Sequence, residues 1–230
     1  MTALVGLDIG TTGAKALALS PDGDVTGRAE EAYPLSIPRA GWAEQDPEDW
    51  VRAAERALGR LGSAGQPVGL SGQMHGLVAL DAERQVLRPA ILWNDQRTGA
   101  ECAEIEERIG LARLIELTGN RALPGFTAPK LLWLRRHEPA VYARIAHVLL
   151  PKDYVRLRLQ DELATDVADA SGTLLFDVAG RRWSDEVLAA LEIPPEWLPP
   201  VHESTAVAGA GDQAAGAIGV GVHEPGFVSV

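Results

Sequence analysis

The chain has 230 residues, 46% of them hydrophobic, and its 32 acidic against 21 basic side chains leave a formal net charge of −11. That balance argues against a sequence-independent nucleic-acid surface, and the single Cys102 excludes both an intramolecular disulfide and a multi-cysteine zinc site. The length fits one large domain, or one domain with a small appendage; no apolar run approaches the ~20 residues of a membrane span, and no secretory leader pattern stands at Met1, so a reducing cytoplasm is the expected setting.

Two short apolar runs, Ala3-Leu4-Val5-Gly6-Leu7 and Ala16-Leu17-Ala18-Leu19, flank Asp8-Ile9-Gly10-Thr11-Thr12-Gly13-Ala14-Lys15. A Pro21-Asp22-Gly23-Asp24 turn follows at once. The pattern predicts strand, turn, strand, turn, strand, so the Gly/Thr stretch is a hairpin bend and not the opening of a helix. The helix-linked phosphate motifs GxxxxGK[ST] and GxGxxG are absent. What the bend offers is glycine backbone that lets N–H groups approach an anion, two threonine hydroxyls and the Lys15 ammonium. Asp8, at the strand end, would hold a metal ion or orient water; the plainer alternative is a hairpin with a capped carboxylate.

A third strand is expected over Val25–Tyr33, then a loop carrying Pro34, Pro38, Gly41 and Trp42. Asp46-Pro47-Glu48-Asp49 is a helix start, with a capping Asp, Pro at the first position and acids in the first turn. Trp50, Ala54, Leu58 and Leu61 recur at helical spacing, which sets a helix over 47–61. Strands are expected at Pro67–Ser71, Leu77–Leu80, Ala90–Trp93 and Val148–Leu150. Polar groups collect at the ends of two of them, Gly72-Gln73-Met74-His75-Gly76 and Asn94-Asp95-Gln96-Arg97, where α/β proteins place ligands.

Thr98 with Glu101 fits a capping box, predicting a helix to about Arg108 that breaks near Gly110. A second short helix closes at Thr118-Gly119-Asn120, a third runs from Thr127 to before Pro139, and a fourth covers Lys152–Leu159. Ser184-Asp185-Glu186 caps a helix to about Leu191, and Pro194 to Pro200 is a surface connection. Val207 to Gln213 returns to a strand end before a small-residue helix, Ala214–Ile218. Cys102 falls on an apolar helix face and is expected in the core. Asp212, between glycines and a helix, reads from these residues equally as an N-cap or as a reactive carboxylate.

The stretch from Asp8 to Lys15 resembles the first phosphate loop of the sugar kinase, Hsp70 and actin ATPase superfamily. Gly72-Gln73-Met74-His75-Gly76, Ile91-Leu92-Trp93-Asn94-Asp95, Pro124 to Leu131, Leu149 to Tyr154 and Gly211 to Gly216 together resemble the FGGY carbohydrate kinases, in family order over nearly the whole chain. Met74-His75 is similar to the branch of that family acting on D-xylulose, where glycerol kinases carry Arg-Glu. The resemblance implies an α/β, ribonuclease-H-like mixed sheet flanked by helices. Residues 1–230 would form the N-terminal, sugar-binding domain, with the C-terminal nucleotide domain absent from this chain.

It further implies transfer of a phosphoryl group from ATP to D-xylulose, with Mg²⁺, in a cytoplasmic enzyme that is inactive as this fragment and leaves room for a homodimer. Asp212 would be the catalytic base, Asp8 would help hold Mg²⁺, and Gly10, Thr11, Thr12 and Lys15 would meet the phosphates. Gln73, Met74, His75, Trp93, Asn94 and Asp95 would line the sugar. The alternatives are an FGGY kinase for gluconate, ribulose, fuculose or glycerol, and a non-catalytic sugar-binding module. The join from Thr205 to Gly211 is shorter than the family's usual excursion.

Overall fold

The computed structural model describes residues 4–63 and 68–222; Ala3 and Pro67, expected at two strand starts, and the Val228-Ser229-Val230 terminus lie outside the described residues. β1 (Leu4–Ile9) and β2 (Gly13–Leu19) form the expected antiparallel hairpin, with Ile9 opposite Ala14 across the bend. Gly13 is required by space, because a Cβ there would lie 2.7 Å from the Glu31 carbonyl oxygen on β3 (Val25–Ala32). Strand alternation sends Val5, Leu7, Ile9, Ala14 and Ala16 into one core and leaves Leu4 and Lys15 exposed on the other face.

After the two-residue strand β4 (Glu44–Gln45) comes α1 (Pro47–Arg60), which starts as expected, with the Asp46 side chain accepting from the Glu48 N–H. Its Trp50, Ala53, Ala54 and Ala57 join the hairpin's apolar face in one core. The alanines let the helix lie close, and each large side chain buried there contributes about 1.5–3 kcal/mol. β5 (Val68–Gly72) then enters the sheet parallel to β1, Leu70 opposite Leu7.

The next portion builds a second core. β6 (Val78–Leu80) and β7 (Ala90–Ile91) lead to α2 (Gly99–Ile109) and α3 (Leu111–Thr118). Then follow α4 (Thr127–His137), α5 (Pro139–Tyr142), β8 (His147–Leu149) and α6 (Pro151–Gln160). The strand expected over 90–93 stops at Ile91, and Trp93 turns outward. The capping box at Thr98 is not made: φ −97° and ψ 24° are outside the extended region a cap needs, Thr98 Oγ1 donates to the Pro124 carbonyl, and Glu101 pairs with Arg136.

β9 (Thr165–Asp166), α7 (Val167–Ala170), a 3₁₀ turn at Ser171–Thr173, β10 (Phe176–Asp177) and β11 (Arg182–Trp183) follow in short pieces. α8 (Asp185–Leu191) is capped by Ser184 Oγ, which accepts from the Val187 N–H. β12 (Val201–His202), β13 (Gly209–Gly211) and α9 (Asp212–Gly219) complete the described chain.

The main sheet has the order β13-β5-β1-β2-β3. β13, β5 and β1 are mutually parallel, with Gly211 opposite Gly72 and Gly72 opposite Ile9. One core lies between this sheet, α1 and α6; the other gathers α2, α3, α4 and α8, and takes in Cys102 as expected. Among the described residues no helix is long and apolar enough to cross a membrane.

Candidate active site

Because three parallel strands end level, the residues after them meet at one sheet edge: Gly10 after β1, Gln73 after β5 and Asp212 after β13. Ligands in open α/β sheets lie at such carboxyl ends. Asp212 opens α9, and burial pushes its carboxyl above the ordinary range; the Gln213 N–H opposes this and the Asp8 charge adds to it. Asp8 accepts from Ser71 Oγ at 3.0 Å and faces Lys15 in the hairpin register. The edge therefore brings the two carboxylates into each other's field.

The Gly10–Gly13 bend is held by its carbonyls. Gly10 O accepts from Tyr33 Oη (2.5 Å) and Gln73 Nε2 (3.4 Å), and Thr11 O accepts from Gln45 Nε2 (2.7 Å). Thr12 O accepts from the Tyr33 N–H. Among the described residues neither the Thr11 nor the Thr12 N–H makes a hydrogen bond, so the bend turns bare donors away from its frame. Lys15 is largely exposed and lies 3.9 Å from Glu30. It borders a groove of about 1180 Å³ over the sheet's outer face, lined also by Asp8, Ser71, Ala210, Ala214 and Ile218.

Met74 and His75 form the neighbouring wall. Glycines let the wall pack closely on both sides: a Cβ on Gly211 would come within 2.7 Å of Met74 Cγ, and one on Gly172 within 2.5 Å of His75 Cε1. His75 is held at φ 66°, its ring edge-on to Phe126 with centroids 4.9 Å apart. Its Nδ1 sits 2.5 Å from the Gly172 carbonyl. That contact places the proton on Nδ1 and leaves Nε2 as an acceptor in the neutral ring. Burial, reinforced by Lys130, keeps the imidazole pKa below its ordinary value, with the Gly172 contact opposing. Trp93 is half exposed and donates from Nε1 to Thr11 Oγ1 (3.0 Å), tying this wall to the bend.

Two residues expected on the sugar face stand behind it. Asp95 is wholly buried and both its oxygens are taken, by the Ala43 N–H and by the Arg97 backbone and guanidinium. Gln73 is also buried and braces Gly10 O and Gln45 Oε1. Asn94 is partly buried next to Trp93.

Sequence reasoning missed a buried ion cluster. Lys152 Nζ lies 2.5, 2.8 and 3.1 Å from carboxylate oxygens of Asp153, Asp166 and Asp169. The three acids are spaced like a metal-ligand set, and the ammonium already sits among them. Burial pulls the Lys152 pKa down but the three acids outweigh it; burial also pushes Asp169 up to about 7. The Lys152 stem packs under Gly72, so the cluster supports the β5 end from below. Three acids spread over residues 153–169 beside one lysine were the available signal.

For a phosphate with a divalent cation the donor set fits: the Asp8 and Asp212 carboxylates are hard oxygen donors beside unpartnered N–H groups, and Mg²⁺ characteristically takes one or two carboxylates with the rest from phosphate and water.

Fold and edge together define a protein of the ribonuclease-H-like class shared by actin, Hsp70 and sugar kinases. The sequence matches the N-terminal domain of the FGGY family of carbohydrate kinases over residues 3–228, and the chain belongs to that family. It is 44% identical over 247 residues to a xylulose kinase of Klebsiella pneumoniae, covering 96% of this chain and 51% of that protein. The crystal structure of a xyloylose kinase from Brucella ovis superposes with TM-score 0.92 at 42% identity, covering 98% of this chain and 51% of that one. A xylulose kinase from Rhodospirillum rubrum gives TM-score 0.90 at 32% identity over 97% and 52%. The chain thus spans about half the length of the relatives it matches.

Proposed function

We propose that this chain is the sugar-binding lobe of an ATP-dependent D-xylulose kinase. The observation that carries the reading is the level ending of β1, β5 and β13, which sets Asp212, the bare N–H groups of the Gly10–Gly13 bend and the Met74–His75 wall side by side. The acceptor hydroxyl of D-xylulose gives its proton to Asp212 as its oxygen bonds to the γ-phosphorus. The bond from that phosphorus to the β–γ bridging oxygen breaks, leaving ADP and D-xylulose 5-phosphate. Phosphoryl transfer asks little covalent help of the protein, so Asp212 chiefly orients the nucleophile, and its raised pKa suits a base that must accept and then release a proton.

Thr11 and Thr12 receive the transferring phosphates, with Lys15 on the groove it shares with Asp8; Gly10, expected to meet them too, has its N–H spent on the Gly13 carbonyl and instead closes the bend. Asp8 would hold Mg²⁺, which neutralises charge on the phosphate oxygens. His75 Nε2 accepts from a sugar hydroxyl, and Met74, Trp93 and Asn94 complete the wall that Gln73 and Asp95 brace. A second, C-terminal lobe supplies the adenosine pocket, consistent with the half-length match, and a reducing cytoplasm suits the lone buried Cys102.

The test has two parts. Calorimetric titration of the chain with D-xylulose against a panel of ketoses and polyols should give heat with D-xylulose first. In the two-lobed enzyme, Asp212→Asn should lower kcat by roughly 10²–10⁴-fold while leaving sugar affinity nearly unchanged. Near-wild-type turnover of that variant removes Asp212 from the chemistry.

A further inference from the structure

We infer that Lys130 is a positioning residue whose buried ammonium ties together the two backbone segments that carry His75 and Trp93. Lys130 lies in the first turn of α4 and is fully buried. Its Nζ donates to the His75 carbonyl and to the Gly125 carbonyl, each at 2.7 Å. Thr127, one position into the same turn, donates from Oγ1 to the same His75 carbonyl at 3.1 Å. The Gly125 backbone in turn rests on Trp93, since a Cβ there would lie 2.6 Å from the Trp93 carbonyl oxygen. One cation therefore joins the Gly72–Gly76 segment to the loop under Trp93.

Packing alone does not call for a charge at this position, because a methionine would fill the same space without the desolvation cost. Among the described residues Lys130 makes no ion pair. Burial pulls its pKa down to about 7, with Asp95 opposing and Arg97 adding to the drop. What the ammonium gains is the pair of carbonyls. What His75 gains is a carbonyl gripped by two donors, and His75 is a non-glycine residue in left-handed backbone that needs its surroundings to hold it there. With the backbone gripped, the ring reaches Gly172 O and the edge-on contact with Phe126, and Nε2 keeps one direction.

The consequence for sugar binding rests on the proposed role of His75 and Trp93; the consequence for His75 itself does not. The test uses Lys130→Met and the near-isosteric Thr127→Val in the full chain. It reads the His75 HN–Hα coupling and imidazole titration by NMR, and D-xylulose affinity by calorimetry. Lys130→Met should release His75 from positive φ, move its imidazole pKa up toward the ordinary value and weaken D-xylulose about tenfold. Thr127→Val should shift the same readouts in the same directions by less.

A folded Lys130→Met with unchanged His75 coupling and titration overturns the inference. If Lys130→Met does not fold, Thr127→Val decides alone, and an unmoved His75 there overturns it equally. A released His75 with unchanged D-xylulose affinity upholds the clamp and removes His75 from the sugar site.

Discussion

Around the Gly10–Gly13 bend the supporting contacts are neutral, coming from Tyr33, Gln45 and Gln73. Behind the Met74–His75 wall they are ionic, coming from Lys130, the Asp95–Arg97–Glu44 group and the Lys152 cluster. On the proposed reading the two supports suit different visitors. A bend that receives phosphates would gain from a frame with no charge of its own, leaving Asp8, Lys15 and the phosphates to set the local field. A sugar brings no charge and is read by direction, and buried ions bonded to several partners at once fix direction firmly. They do so at a desolvation cost that neutral amides avoid.

The ionic half should break hardest. Lys152→Met would leave three buried carboxylates in contact without their cation, and we expect a loss of roughly 3–5 kcal/mol in urea unfolding. A loss below 1 kcal/mol would mean that the cluster supports nothing. Tyr33→Phe removes one neutral hydrogen bond from Gly10 O, which keeps Gln73 as a donor, so the loss should be about 1 kcal/mol by the same assay. A Tyr33 effect equal to the Lys152 effect would erase the contrast.

The smallest expected effect is a pH dependence. Asp212 has its carboxyl pKa raised in the folded state, chiefly by burial and further by Asp8. A carboxyl shifted upward releases its proton more readily in the unfolded chain, so its contribution to stability falls as pH rises through the carboxylate range. Wild type should therefore lose a little stability relative to Asp212→Asn between acid and neutral pH. Parallel urea midpoints across that range would refute the raised pKa.

Local chemistry made much of this molecule legible. The Asp46-Pro47 start of α1, the Ser184 cap of α8, the Gly119 stop at φ 72° and the hairpin bend all follow from residues within one turn of each other. The resemblance drew Asp212 to the Gly10 bend, but local pattern could not, because Gly72 and Gly211 are brought level by a parallel pairing between distant parts of the chain. Thr98 shows the converse: a correct local pattern lost to tertiary partners, Pro124 for its hydroxyl and Arg136 for Glu101. Lys130 and Lys152 looked like ordinary helix-start lysines; only the assembled loops reveal that each lies inside the protein. Asp95 deceived for the same reason, its polarity being spent inward on Arg97 and Ala43.

The order of strands in the chain has a consequence for how such a protein comes into being. Among the described residues β13 is the last strand of the main sheet to be made and stands at its end, paired with β5. A ribosome that has reached residue 200 has already delivered the bend, both lysine anchors and the histidine wall, yet not the carboxylate at 212. During vectorial synthesis the pieces proposed to meet phosphate and sugar are thus made before the carboxylate proposed to act on them.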